Sequence, residues 1–172
     1  MVSGSLLCRP AAVQAKRTEA RRRLLPISPN VGLHAKTPFN LMNILYETDR
    51  LKLENEFEAT FLTDKLTGAT LMEDDFYDDP ACGLIDKNNK WVIVAGEHLT
   101  IWTPKKWKRI DNENLQWIHS IRIKNMETVE ILTDPWSMNS AIWEINVETF
   151  EFKKVKDFND YKDQEYSENV IW

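Results

Sequence analysis

The side chains in this chain that could do chemistry fall into three groups. The densest is Glu73-Asp74-Asp75-Phe76-Tyr77-Asp78-Asp79-Pro80, where five carboxylates fill seven positions around two aromatic rings. Clustered carboxylate oxygens suit a hard cation such as Ca²⁺, but the run lacks the glycine and the ordered ligand spacing of an EF-hand loop. A solvated loop is the simpler reading, and no metal is expected. A third reading fits the charge better. Asp74, Asp75, Phe76, Tyr77, Asp78 and Asp79 would form an acidic, aromatic surface for a cationic protein partner, joined by Trp136.

The second group is His98, His119 and Cys82, the histidines and the thiol that follow residue 41. A Cys–His nucleophile pair needs flanking residues that are missing here, and a zinc site needs a fourth ligand at credible spacing. Glu97-His98 reads as a polar turn, and Cys82 beside Gly83 as a buried structural residue. Five glycines in 172 residues supply no phosphate-binding loop. No catalytic residue and no cofactor is assigned, so the chain is expected to be non-enzymatic. The third group is the tryptophans. Trp91, Trp102, Trp117 and Trp143 lie in strand-like patterns and are expected in the core. Trp107, among lysines, and Trp136, in the turn-like Asp134-Pro135-Trp136-Ser137-Met138-Asn139, are the candidates for an alternative sugar- or small-ligand-binding surface.

The elements that must position these residues read as β-strands. Phe57-Glu58-Ala59-Thr60-Phe61-Leu62-Thr63 alternates with a two-residue period that puts Phe57, Ala59 and Phe61 on one face. Asp64 to Gly68 is a turn that returns the chain through Ala69–Met72. Gly83–Ile85 and Trp91–Ala95 form a second hairpin, and Val92-Ile93-Val94 has no polar alternation, as expected of a strand covered on both faces. Gly96-Glu97-His98 turns into Leu99–Trp102, which Pro104 ends. Trp117, His119, Ile121 and Ile123 share one face, Thr128–Thr133 follows, and Ala141–Asn146 pairs with Phe150–Val155. One short helix is expected near 104–114 or 157–162. An echo at an offset near fifty residues joins Ile85-Asp86 and Trp91 to Thr133-Asp134 and Trp143, but two units are too few to close a propeller. The fold class is all-β, a mainly antiparallel meander closing as a barrel or a two-sheet sandwich, with at most one or two short helices.

Composition divides the chain at Met42. Residues 1–41 carry seven basic side chains against Glu19 alone, a net +6, whereas residues 42–172 carry 15 basic and 26 acidic side chains, a net −11, and all seven tryptophans. The basic leader, disordered or helical, stays open to three readings: a dispensable or misannotated start, an organellar transit peptide, or a basic binding arm. The acidic domain of residues 42–172, with a polar C-terminal tail, is too negative for nucleic acid. No apolar run is long enough to span a membrane. With only two cysteines, a cytoplasmic location is expected, or an organellar one if the leader is a transit peptide.

The stretches Asp79–Ile85 through Trp91–Glu97 and Glu130–Trp136 through Ala141–Glu144 resemble the small acidic immunity proteins that accompany bacterial polymorphic toxins. The resemblance covers much of residues 70–160 and is one of domain style, so no functional residue carries over from it. It implies a cytoplasmic inhibitor that occludes a cationic toxin and has no chemistry of its own, as in a toxin–antitoxin pair.

Overall fold

The computed structural model describes residues 42–167 and 169–172, and the readings of the basic leader fall outside the described residues. The fold is all-β. Twelve strands form three four-stranded antiparallel sheets, each built from consecutive strands. Sheet I holds β1 (Asn43–Glu47), β2 (Leu51–Glu56), β3 (Ala59–Asp64) and β4 (Thr70–Asp75). Sheet II holds β5 (Cys82–Ile85), β6 (Val92–Ala95), β7 (Leu99–Thr103) and β8 (Lys106–Ile110). Sheet III holds β9 (Ile118–Ile123), β10 (Thr128–Thr133), β11 (Ala141–Asn146) and β12 (Phe152–Asp157). Each sheet has the strand order of a propeller blade. The arrangement is thus three blade-like sheets in series, in place of one barrel or a two-sheet sandwich. The blades begin at Asn43, Cys82 and Ile118, so the true spacing is 39 and then 36 residues. The echo near fifty residues matched strands of different rank.

Local chemistry sets the turns. Asp64 accepts from the backbone N–H of Leu66 at 2.9 Å and of Thr67 at 3.1 Å, and Gly68 takes φ +72° to close the β3–β4 hairpin. Asn146 does the same for Glu148 and Thr149 between β11 and β12, both at 2.9 Å. The helix expected near 104–114 is one 3-10 turn, Glu113–Leu115, capped by Asn112, and 157–162 ends in a turn. Lys106–Arg109 forms the edge strand β8 instead, because Pro104 occupies the β7–β8 turn and leaves every β8 donor available to pair with β7.

Sheet II is the middle layer. Ile85, Val92, Val94 and Trp102 pack toward Leu51, Leu53, Leu62, Met72 and Phe76 of sheet I and its exit. Leu84, Ile93, Ala95, Leu99 and Ile101 pack the other way, toward Leu115, Ile118, Ile121, Val129, Ile131 and Ile145. Every residue of β5 and β6 is buried, as the unbroken apolar run requires. In β3 the two-residue period holds, and the buried face is that of Thr60, Leu62 and Asp64, because Leu62 pairs with Leu53 on one side and Met72 on the other. Phe57 leaves the strand altogether, sitting in the β2–β3 turn at φ +53°. On the far face of sheet III, Leu132 and Ile142 are covered by the C-terminal tail through Phe158, Val170 and Trp172. Arg122 fixes the end of that tail, its guanidinium 4.0 Å from the Trp172 ring centroid.

Sheets I and II approach closely at Gly83. A Cβ there would stand 2.4 Å from Leu53 Cδ2 and 3.1 Å from Leu45 Cβ. Leu53 is wholly buried and has little room to yield. Gly83→Ala is therefore expected to lower stability by about 1–3 kcal/mol, read as a lower urea midpoint. An unchanged midpoint would mean that the two sheets have slack to separate.

Candidate functional site

The acidic run divides between the interior and the surface. In β4, alternate residues face sheet II, so Met72 and Asp74 are buried while Glu73 and Asp75 are exposed. Phe76, just past the strand, turns inward and stacks on His98 with ring centroids 3.9 Å apart. Asp74 and Phe76 are thus not part of a partner surface, which corrects the sequence-based assignment. The reason is register: Thr60, opposite Asp74, faces the same interior layer.

Asp74 is the hub of a buried polar clasp between sheets I and II. His98, only 1% exposed, places Nε2 2.9 Å from Asp74 Oδ2, and Thr100 Oγ1 donates to the same oxygen. Arg109 Nη1 stands 3.6 Å from Asp74 Oδ1 and donates to the Asp75 carbonyl at 3.0 Å. Burial pushes the Asp74 carboxyl upward, but the hydrogen bonds from His98 and Thr100 and the neighbouring His98 charge outweigh it and hold it below its ordinary value. The reading of Glu97-His98 as a polar turn holds for the backbone, where Gly96 N–H donates to the His98 carbonyl at 2.9 Å, while the His98 side chain is buried.

The clasp extends to the surface through Glu97. Its carboxylate lies 3.4 Å from His98 Nδ1 and accepts from the Tyr77 N–H at 3.3 Å, while its carbonyl accepts from the Trp117 N–H at 3.2 Å. One residue therefore sets the positions of two aromatics distant in sequence. Tyr77 is 77% exposed and Trp117 46% exposed, and their rings meet edge to face with centroids 6.4 Å apart. Trp117 holds φ +54°, a left-handed conformation costly for a bulky side chain, so its outward direction is enforced by its neighbours. It was expected in the core; instead it stands just ahead of β9. Asp75, Asp78, Asp79, Glu97 and Asp111 lie in the chain segments that carry this pair. Arg109, 3.1 Å from Asp111, is the cation among them.

The alternation assigned to Trp117, His119, Ile121 and Ile123 also breaks. A bulge in β9 pairs Ser120 with Leu132 but Ile118 with Thr133. Ile118 and Ile121 consequently face sheet II, while His119 turns to the tail side and meets Trp136 edge to face at 5.6 Å. Trp136 is half-buried there against Tyr161 and Tyr166, and Trp107 is exposed on the outer strand of sheet II, opposite Trp102. The two candidate ligand-platform tryptophans are therefore apart, Trp107 on β8 of sheet II and Trp136 in the β10–β11 connection under the tail. His98, His119 and Cys82 are likewise apart: His98 lies between sheets I and II, His119 lies under the tail, and Cys82, buried in β5, is not a free thiol. Among the described residues, no three His, Cys, Asp or Glu side chains converge as metal ligands, and no helix is long and apolar enough to cross a membrane.

Two hollows open at opposite ends of the layer between sheets II and III. A cavity of about 420 Å³ at the hairpin turns is lined by Trp91, Lys90, Lys105, Lys106, Met126 and Glu148. A larger polar cleft of about 570 Å³ runs beside Trp117, between the β8–β9 and β10–β11 connections. No protein-family model and no curated protein matches this sequence.

The clasp yields a stability prediction. Asp74→Ala leaves His98 and Thr100 buried without their acceptor and is expected to cost about 2–4 kcal/mol, while Asp75→Asn on the open face should stay within about 0.5 kcal/mol. Equal effects on the urea midpoint would remove the distinction between buried and exposed carboxylates.

His119 yields a pH prediction. Burial holds its imidazole below the ordinary value of 6.5, and the charge of Asp134 only partly counters this. The unfolded chain then binds a proton that the folded chain resists, so stability must fall as pH drops through about 6.5. Urea midpoints at pH 7.5 and 5.5 should differ, and His119→Gln should flatten the difference; an identical slope in the variant would exclude this source.

Proposed function

We infer that this protein is a non-catalytic recognition module that binds a cationic protein partner through the Tyr77–Trp117 surface. The observation that carries the reading is the exposed aromatic pair set on a buried polar clasp. Aromatic side chains lose little conformational freedom on binding and dominate the energy of protein interfaces. Exposing two of them, one in a strained backbone conformation, opposes folding economy and favours recognition. The net −11 of residues 42–172 would steer a basic partner toward the pair and speed its association. The resemblance to immunity proteins extends this reading to the inhibition of a cationic toxin. In that role the surface would cover the partner's active site, and the module would need only shape and charge.

Selection of a random displayed-peptide library on the full chain at low salt tests the reading. The expected outcome is enrichment of Lys- and Arg-rich peptides whose association slows as salt rises. Tyr77→Ala with Trp117→Ala should weaken their binding by at least about tenfold. Failure to enrich basic peptides, or binding that the double substitution leaves unchanged, would overturn it.

A further inference from the structure

Next to this surface, but independent of the cationic-partner reading, we propose that the 570 Å³ cleft is a binding site for a neutral polyhydroxylated ligand, a sugar of about disaccharide size. The volume lies within the range of roughly 300–1,000 Å³ that small-ligand sites occupy. Its walls come from three places that only the fold brings together: the β8–β9 connection with Gln116 and Trp117, the β10–β11 connection with Asp134 and Asn139, and the strands β11 and β12 with Trp143, Lys154 and Asp157.

The chemistry of these walls selects the ligand. Trp117 and Trp143 offer indole surface to the apolar C–H faces of a sugar ring. The exposed amides of Gln116 and Asn139 form no side-chain hydrogen bond with the described residues, so each offers both a donor and an acceptor to hydroxyl groups. The Trp143 indole N–H has no acceptor among the described residues, a donor left unmet at the wall of a polar cleft. Three of the four charged side chains, by contrast, already have a partner, and Glu113 is the one that does not. Lys154 pairs with Asp157, and the Asp134 carboxylate accepts from the Trp136 N–H at 3.0 Å. An anionic ligand would meet Glu113, Asp134 and Asp157, and a cationic one would have to displace Lys154. A neutral ligand with many hydroxyls meets neither obstacle and uses the open amides and the indole N–H.

The test is titration of the full chain with maltose, cellobiose, lactose and N,N′-diacetylchitobiose, followed by indole fluorescence and calorimetry, with agmatine and glucuronate as charged controls. At least one neutral disaccharide should bind with a Kd of about 1 mM or tighter. Trp117→Ala and Asn139→Ala should each weaken it by about tenfold, and Trp143→Phe, which keeps an aromatic ring but removes the N–H, by about fivefold. Tyr77→Ala, which touches Trp117 outside the cleft, should change the affinity by less than about twofold. Asn139→Ala should leave binding of basic peptides intact, which separates failure of this site from failure of the recognition surface. No binding by any of the four sugars at about 20 mM, sugar affinity indifferent to Trp117→Ala, or tighter binding of agmatine than of every sugar would overturn the assignment.

Discussion

The run Val92-Ile93-Val94-Ala95 offers water no polar face, so the strand it forms must have apolar cover on both sides. That constraint makes sheet II the middle of the stack and gives sheets I and III their places. Val92 and Val94 point to one layer and Ile93 and Ala95 to the other. The flanking sheets each need only one apolar face to join. Gly83 in β5 lets sheet I approach until Leu53 fills the space a side chain would occupy. The outer face of sheet III remains apolar at Leu132 and Ile142, and the tail is the cover for it. A single strand without amphipathicity thus accounts for the layer order of the molecule.

The polar groups of the interior follow from the same layering. Asp74 faces sheet II because the pleat of β4 leaves it no other direction once Met72 is in the core. A carboxylate in that position is tolerable only with partners, and sheet II supplies His98, Thr100 and Arg109. Arg109 lies on β8, so the clasp ties the exit of sheet I to the edge strand of sheet II. Through Glu97 it also fixes the two aromatics at the surface. Packing demand and surface presentation are thus physically coupled: loosening the clasp would free Tyr77 and Trp117 to reorient.

On the opposite side of sheet II, charges are handled by cross-strand rows. Arg122 faces Glu130, Glu130 faces Glu144, and Glu144 faces Lys153 along successive strands of sheet III. Lys124 Nζ adds a contact to both glutamates, and its hydrogen bond with Glu144 holds that carboxyl below its ordinary value despite some burial. The two glutamates lie directly opposite each other and would repel if left alone. Basic residues on either side make the row acceptable.

Strand existence, turn chemistry and the double-sided burial of β6 were legible in the sequence, because they depend on residues within a few positions of one another. Asp64 and Gly68 specify their hairpin locally, and the unbroken Val92–Ala95 run specifies its own environment. The first hairpin, Asn43–Glu56, was missed although Leu51, Leu53 and Asn55 alternate, and with it went the third blade. What the sequence left open is which face of an ambiguous strand turns inward. In Ala59–Asp64 both faces carry an apolar residue, and only pairing with Leu53 and Met72 decides for Leu62 over Phe61. The bulge at His119 is likewise set by its partner strand, and it reverses the faces that strict alternation assigns. The same limit divided the acidic run: five carboxylates look alike in sequence, and the pleat of β4 with its long-range partners buried Asp74 and left Asp75 in water. Tyr77 meets Trp117 across a sequence separation of forty through a turn neither belongs to, a proximity that exists only once three sheets have stacked.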